Sequence, residues 1–325
     1  MEIKTIGVLT SGGDAPGMNA AVRAIVRTGL GYGYKVMGIK EGYRGLLKED
    51  IIEMDARCVS EYLQRGGTML ETARCPEFKN PEGIAKGAEV CRKHGIDAIV
   101  VIGGDGSFRG ARALAEQGIH TIAVPGTIDN DIACSEYTIG FDTALNTALE
   151  AADKLRDTCT SHHRCSVIEV MGARAGYIAV ETAIACGAEV VLTPEVPFDF
   201  EKDVIDVIKE GRANGRKHNI IVVAEGVDMD VSKMAKLIKE KTDIDTRATI
   251  LGHIQRGGSP TVRDRVAAAV MGSRAVDLIS QGKTNRVVVM KGGAVTDLDI
   301  TEGLEMKKVL NRDMYALVRK LSVSK

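Results

Sequence analysis

Short β-rich apolar runs alternate with helix-length segments along the whole chain. The runs predict strands over Thr5–Thr10, Lys35–Ile39, Ala98–Ile102, Thr121–Val124, Val167–Val170, Glu189–Leu192, Ile220–Ala224, Ala248–Leu251 and Arg286–Met290. The segments between them predict helices over Met18–Gly29, Pro81–His94, Phe108–Gln117, Ala144–Arg156, Gly176–Ala185, Glu201–Ala213, Ser232–Lys241, Val262–Ser280 and Arg312–Leu321. A β-α-β rhythm of this kind builds mainly parallel sheets with right-handed crossovers. The expected class is α/β, with two sheets flanked by helices. No linker rich in proline or serine marks a boundary, so the crossings are placed near Phe141, Gly258 and Met306. One domain is then 1–140 plus 258–305, and the other 141–257 plus 306–325.

Composition narrows the function classes. A chain of 325 residues can bury two cores, and its hydrophobic fraction of 44% is ordinary. A net charge of −1 and only 4% aromatics exclude a general nucleic-acid binder. No apolar run approaches the roughly 20 residues of a membrane span, and no secretory pattern opens the sequence. The seven cysteines contain no C-x-x-C pair, which points to reduced thiols in a cytoplasmic protein.

Familiar nucleotide motifs are missing. Gly282-Lys283-Thr284 looks like the end of a P-loop, but Asp277 stands where its first glycine belongs. No G-x-G-x-x-G occurs, because Arg109 follows Gly104 and Gly106 at the third position. Other glycine turns carry the chemistry. In Ser11-Gly12-Gly13-Asp14-Ala15-Pro16 a strand end turns into a helix, a geometry that offers N–H groups to phosphate. A tight turn capped by Asp14 would use the same residues. Gly103-Gly104-Asp105-Gly106-Ser107 repeats the pattern with a central acid, a candidate magnesium ligand. Pro125-Gly126-Thr127-Ile128-Asp129-Asn130-Asp131 brings two further acids to a strand end. In extended chain Thr127 and Asp129 would point the same way, and one carboxylate could take a proton from an attacking hydroxyl. An Asx-turn loop is the bland alternative.

Basic groups suit the other end of a phosphoryl transfer. Arg247, His253 and Arg256 surround a strand end and the Gly257-Gly258 turn, a set suited to a sugar phosphate or to a solvated basic turn. Ser161-His162-His163-Arg164 and Asn214-Gly215-Arg216-Lys217-His218 lie at helix ends, where cations complement the dipole.

Taken together, and in this order from Ile6 to about Gly293, these segments closely resemble the bacterial ATP-dependent 6-phosphofructokinases. The resemblance implies two Rossmann-like domains, the first for ATP and Mg2+ and the second for sugar phosphate. It implies transfer of the ATP γ-phosphoryl group to the 1-hydroxyl of fructose 6-phosphate, a glycolytic step. Asp129 matches the base and Asp105 the magnesium ligand. Gly13, Tyr43, Arg74, Cys75, Gly104, Gly106 and Ser107 match positions around ATP. Thr127, Met171, Gly172, Glu225, His253 and Arg256 match sugar-phosphate contacts. Arg164 and Arg247 match arginines that reach the sugar phosphate of a neighbouring subunit, so a homotetramer is implied.

The resemblance also bears on the donor and on regulation. Pyrophosphate-using relatives carry an acid where this chain has Gly106 and a lysine where it has Gly126, so ATP is the expected donor. Ala173 stands where the family has a catalytic or substrate-binding arginine, with Arg174 one residue later. Lys79 replaces an ATP-contacting arginine. Arg23, Arg27, Arg57 and Ser60 match or neighbour effector positions. So do Arg156, Glu189, Arg216, Lys217 and His218, whereas Ala56 replaces an arginine beside Arg57 and Asn214 replaces a lysine. That implies control by ADP or phosphoenolpyruvate. A relative with another donor or acceptor, or a weakly active sensing paralogue, is the alternative that Ala173 and the altered effector positions raise.

Overall fold

A computed structural model describes residues 3–323. Its strands are β1 (Thr5–Thr10), β2 (Lys35–Ile39), β3 (Ile51–Met54), β4 (Ala98–Gly103), β5 (His120–Pro125) and β6 (Cys165–Val170). They continue with β7 (Val190–Leu192), β8 (Asn219–Ala224), β9 (Thr246–Ile250), β10 (Arg286–Lys291) and β11 (Ala294–Asp299). The chain divides into two compact units. The first takes the chain up to Ile128, then Ile132–Thr143 and Arg256–Lys308. The second takes Asp129–Asp131, Ala144–Gln255 and the chain from Val309 onward. The sequence reading differs in four places: it puts Asp129–Asp131 with the first unit, and residues 141–143, 256–257 and 306–308 with the second.

The first unit is a seven-stranded sheet in the order β11-β10-β5-β4-β1-β2-β3. Its five inner strands are parallel, and the edge strands β3 and β11 pair antiparallel. β1 and β4 are buried along their whole length, as expected for near-continuous apolar runs covered on both faces. The chain leaves β1 toward β2 on one side and later returns to β4 on the other. The strand order therefore reverses between β1 and β4, the position where open α/β sheets bind ligands beyond their carboxyl ends. Register sets the depth of that crevice: Thr10 pairs Ile102, and Gly103 pairs Pro125, so three glycine-bearing loops leave the sheet at one level.

The second unit holds a four-stranded, all-parallel sheet in the order β7-β8-β6-β9. Here the order reverses between β6 and β9. Val170 pairs Ala224 and Glu169 pairs Ile250, so Met171, Glu225 and Leu251 emerge together at the carboxyl edge.

Local differences from the expected elements have physical causes. β3 and β11 are short, half-exposed edge strands that exist through their antiparallel partners. The six-residue helices Tyr43–Lys48 and Ile300–Glu305 are too short for a periodic signal. The helix after β4 starts at Asp105, not Phe108, because Gly104 serves as its N-cap. The helix expected over Ala144–Arg156 runs from Phe141 to His162. Asp14 caps nothing; Gly17, at φ +107°, is the N-cap of the helix Met18–Gly31. A side chain there is excluded, since its Cβ would lie 2.7 Å from Ile139 Cγ2.

Candidate functional site

The loops that follow β1, β4 and β5 are laced together by main-chain groups. Ser11 N donates to Ile102 O (2.9 Å) and Gly126 N to Gly103 O (3.0 Å). Ser107 Oγ donates to Ser11 O at 3.1 Å. The approach is close enough that a Cβ on Gly103 would sit 2.4 Å from Ser11 O, so only glycine fits. Above these loops opens a cavity of about 630 Å³, within the size range of small-ligand sites. Its walls include Gly12, Gly13, Tyr43, Arg74, Cys75 and Gly106. The expected nucleotide positions thus line one cavity, apart from Asp105.

Further lining residues went unrecognised in the sequence. Arg109, Gly110 and Ala113 also face this cavity. They follow Gly106 at helical spacings of three, four and seven, so one face of the helix Asp105–Glu116 forms the wall. That periodicity was legible; the identity of the ligand-facing side was not. Phe78 and Ile84 add an apolar floor. Tyr43 is stacked on Phe78 with ring centroids 4.1 Å apart, and its hydroxyl donates to Ser107 O at 2.6 Å. Burial pushes the Tyr43 phenol well above its ordinary range, so it stays a donor.

Gly110 makes this wall testable. A Cβ there would lie 2.6 Å from the buried Tyr43 ring. Helix propensity favours alanine by about 1 kcal/mol, but overpacking a buried ring costs about 1–3 kcal/mol. Gly110→Ala is therefore expected to lower stability by about 1–2 kcal/mol, read from chemical denaturation midpoints. A gain in stability would show that the ring yields freely.

The two glycines expected to admit a nucleotide behave differently. A Cβ on Gly106 meets nothing within 4 Å. A Cβ on Gly126 would meet Ile102 Cγ2 at 2.9 Å and Met18 Cε at 3.2 Å, so packing already restricts that position. The guanidinium of Arg256 lies against Gly13, 3.4 Å from where its Cβ would be. Arg256 therefore stands at the first glycine loop.

The extended reading of Thr127 and Asp129 is not what forms. Ile128 and Asp129 make a turn, and Asn130 follows at φ +49°. Asn tolerates that conformation better than most residues. Thr127 N donates to Ile139 O (3.1 Å) and Thr138 Oγ1 donates to Thr127 O (2.7 Å). In the second unit burial, and then the Glu195 and Asp131 carboxylates near it, push the Tyr177 phenol up to about 12.

At the carboxyl edge of the second sheet, Glu225 Oε1 accepts from Gly172 N (3.2 Å) and Ala173 N (2.6 Å). Met171 N donates to Oε1 of the fully buried Gln255 at 2.8 Å. The Met171–Arg174 loop is therefore pinned through its backbone. Ala173 has φ +53°, and the Arg174 and His253 side chains are exposed. Glu169, unnoticed in the sequence, lies in β6 two residues before Met171; burial and then the Glu225 and Asp230 carboxylates push its pKa up.

Arg164 and Arg247 are elsewhere. Both contact Asp245, with Arg164 Nε at 2.8 Å and Arg247 Nη2 at 3.4 Å from Oδ2. They lie at the amino ends of β6 and β9, whereas Met171 follows the carboxyl end of β6. Seven strand steps separate Arg164 from Met171, roughly 23 Å.

The expected effector residues form a group in each unit. In the second, Arg156 Nη1 is 3.0 Å from His218 Nε2, and Arg156 Nη2 donates to Cys186 O and Gly187 O. Glu189 Oε1 is 3.6 Å from Arg216 Nε, and its Oε2 accepts from Ile220 N at 2.5 Å. Burial pushes Glu189 up and His218 down; the neighbouring arginines oppose the first shift and add to the second. Asn214 and Lys217 are exposed on the adjoining turn. In the first unit, Arg27 Nη2 donates to Ala56 O at 3.4 Å, and Ser60 Oγ to Arg57 O at 2.8 Å. Arg23 is half-buried on the helix that carries Arg27.

Among the described residues no group of three or more His, Cys, Asp or Glu side chains could hold a metal ion by itself. A lone carboxylate such as Asp105, at a helix start beside a glycine loop, fits magnesium that takes its other ligands from phosphate and water. No helix among the described residues is long and apolar enough to cross a membrane. All seven cysteines are free.

Known proteins resemble this chain along its whole length. The phosphofructokinase family model matches residues 5–279. The ATP-dependent 6-phosphofructokinase of Thermoanaerobacter pseudethanolicus is 54% identical over 323 residues, covering 99% of this chain and 100% of that protein. The structure of phosphofructokinase from Saccharomyces cerevisiae matches with a TM-score of 0.89 at 33% identity, over 98% of this chain and 47% of that one. This chain thus spans about half the length of its yeast counterpart. A pyrophosphate-dependent phosphofructokinase from Marinobacter aquaeolei matches with a TM-score of 0.87 over 97% of this chain and 91% of that one, but at 20% identity this is a likeness of fold alone.

Proposed function

The chain belongs to the phosphofructokinase family, and from that premise we propose that it is an ATP-dependent 6-phosphofructokinase of glycolysis. It transfers the ATP γ-phosphoryl group to the 1-hydroxyl of fructose 6-phosphate, giving fructose 1,6-bisphosphate and ADP. The observation that carries this reading is the cavity at the β1–β4 switch point, where Gly106 leaves open space beside two glycine loops. Backbone N–H groups of these loops and the helix that starts at Asp105 hold the phosphates. Tyr43, Phe78 and Ile84 provide the apolar wall for the rest of the nucleotide. Arg74 and Cys75 border it.

Asp105 would hold magnesium together with the phosphates, and the ion would supply neutralisation of the charge that builds up during transfer. Asp129 takes the proton from the sugar hydroxyl, and Thr127 orients its neighbourhood. Met171, Gly172, Glu225 and His253 bind the sugar phosphate, and Arg256, beside Gly13, offers a fork of donors to phosphate oxygens. The exposed Arg174 supplies the charge that Ala173 lacks. Arg164 and Arg247, at the far end of their strands, serve a neighbouring subunit of a homotetramer. ADP or phosphoenolpyruvate acts on the effector residues, Arg156, Glu189, Arg216 and His218 foremost. The protein is cytoplasmic.

The deciding experiment is coupled formation of fructose 1,6-bisphosphate with magnesium and either ATP or pyrophosphate. ATP-only turnover is expected. Turnover with pyrophosphate alone would overturn the donor, and none with either would overturn the activity.

A further inference from the structure

Asp264 is fully buried, yet the reaction described above gives it no part. It lies in the first turn of the helix Val262–Ser280, whose N-cap Thr261 accepts from its backbone N–H. Both carboxylate oxygens are fully engaged. Oδ1 accepts from Gly140 N at 2.7 Å and from the Tyr137 hydroxyl. Oδ2 accepts from Thr143 N at 2.8 Å and from Thr143 Oγ1 at 2.5 Å. That hydroxyl in turn accepts from Thr261 N at 3.1 Å. Burial pushes the Asp264 pKa up, and its donors pull it back by favouring the charged form.

All these donors belong to one segment, Tyr137–Thr143, and that segment grips the loop after β5. Ile139 N donates to Pro125 O at 3.0 Å, and Thr127 N donates to Ile139 O at 3.1 Å. Thr138 Oγ1 donates to Thr127 O at 2.7 Å. A bridge pairs Gly126 with Ile139 in parallel fashion. Two short relays therefore run from the carboxylate to Thr127, one through Tyr137–Thr138 and one through Gly140–Ile139.

We propose that Asp264 is a positioning residue for Thr127 and the peptide that leads on to Asp129. It touches neither substrate nor nucleotide; it holds the segment that holds the loop. The role of Thr127 rests on the phosphofructokinase reading, but the anchoring does not.

Asparagine separates charge and geometry from bulk. In either orientation its amide NH2 faces a backbone N–H, of Gly140 on one side or of Thr143 on the other. Hydroxyls can turn to accept, but these N–H groups cannot, so one anchoring bond of the Tyr137–Thr143 segment is lost while volume is kept: the Gly140 relay in one orientation, the Thr143 anchor in the other. Asp264→Asn is expected to lower kcat roughly 100-fold, the scale of an ångström-level misplacement at a reacting centre. The KM for ATP should stay within about threefold, since the glycine loops keep their own bonds. In the ligand-free protein, amides of residues 126–128 and 138–140 should exchange at least tenfold faster, with those of β1 and β4 unchanged. Tyr137→Phe, which removes one donor and leaves the carboxylate in place, should give the same pattern at smaller amplitude. It decides the matter if the asparagine variant does not fold.

Loop amides that exchange as in the wild type would overturn the proposal. So would kcat and ATP affinity falling together with the melting temperature, the mark of a merely structural residue. A wild-type protein without turnover would sink the phosphofructokinase reading instead, and the exchange measurement would still decide the anchoring.

Discussion

Asp129→Asn is expected to lower kcat by about 10²–10⁴-fold, the contribution of a positioned general base. That corresponds to about 3–5 kcal/mol of transition-state stabilisation. Asparagine matches aspartate in size, so the turn at Ile128–Asp129 and the left-handed Asn130 should survive the change. What is lost is the group that takes the hydroxyl proton as the phosphorus–oxygen bond forms. Positioning by Thr127 and the glycine loops remains, so KM for both substrates should move by less than about threefold. Steady-state kinetics at saturating ATP and fructose 6-phosphate reads the effect. Near-normal kcat would remove Asp129 from the role of base; a large rise in KM at constant kcat would make it a binding residue.

Gly106→Asp should cut kcat/KM for ATP by about 100-fold or more, because a carboxylate 4 Å from a phosphate charge costs on the order of 4 kcal/mol at an effective dielectric of 20. The substitution starts in open space, since its Cβ meets no atom within 4 Å. It would stand in the first turn of the helix Asp105–Glu116, where an acid group favours the dipole. Stability should hold or rise while activity falls, which separates the electrostatic effect from misfolding. Gly106→Ala is the control for bulk and should lose less than about tenfold, since it adds no charge. Equal losses in the two variants would show that space, not charge, excludes the acid. An unchanged kcat/KM in the aspartate variant would show that the triphosphate lies elsewhere.

Much of the fold and some of the site follow from local sequence. β1 and β2 are predicted to the residue, as are the helices Val262–Ser280 and Arg312–Leu321, because burial on two faces or one writes a pattern that neighbours along the chain already contain. The glycine turns after β1, β4 and β5 are legible for the same reason: a close backbone approach demands glycine at that position. Tertiary structure alone decided the rest. β3 and β11 are strands only because a neighbour pairs with them. Gly126, read as room for a nucleotide, lines the cavity but is also packed against Ile102 and Met18. Arg164 and Arg247 fall at the amino ends of their strands, a fact of sheet direction that spacing does not carry. Asp264 reads as an ordinary acid near a helix start, and its partners Tyr137, Gly140 and Thr143 lie more than a hundred residues away. Such a carboxylate gets its meaning from donors that only folding brings to it, because its desolvation is offset by groups from another part of the chain.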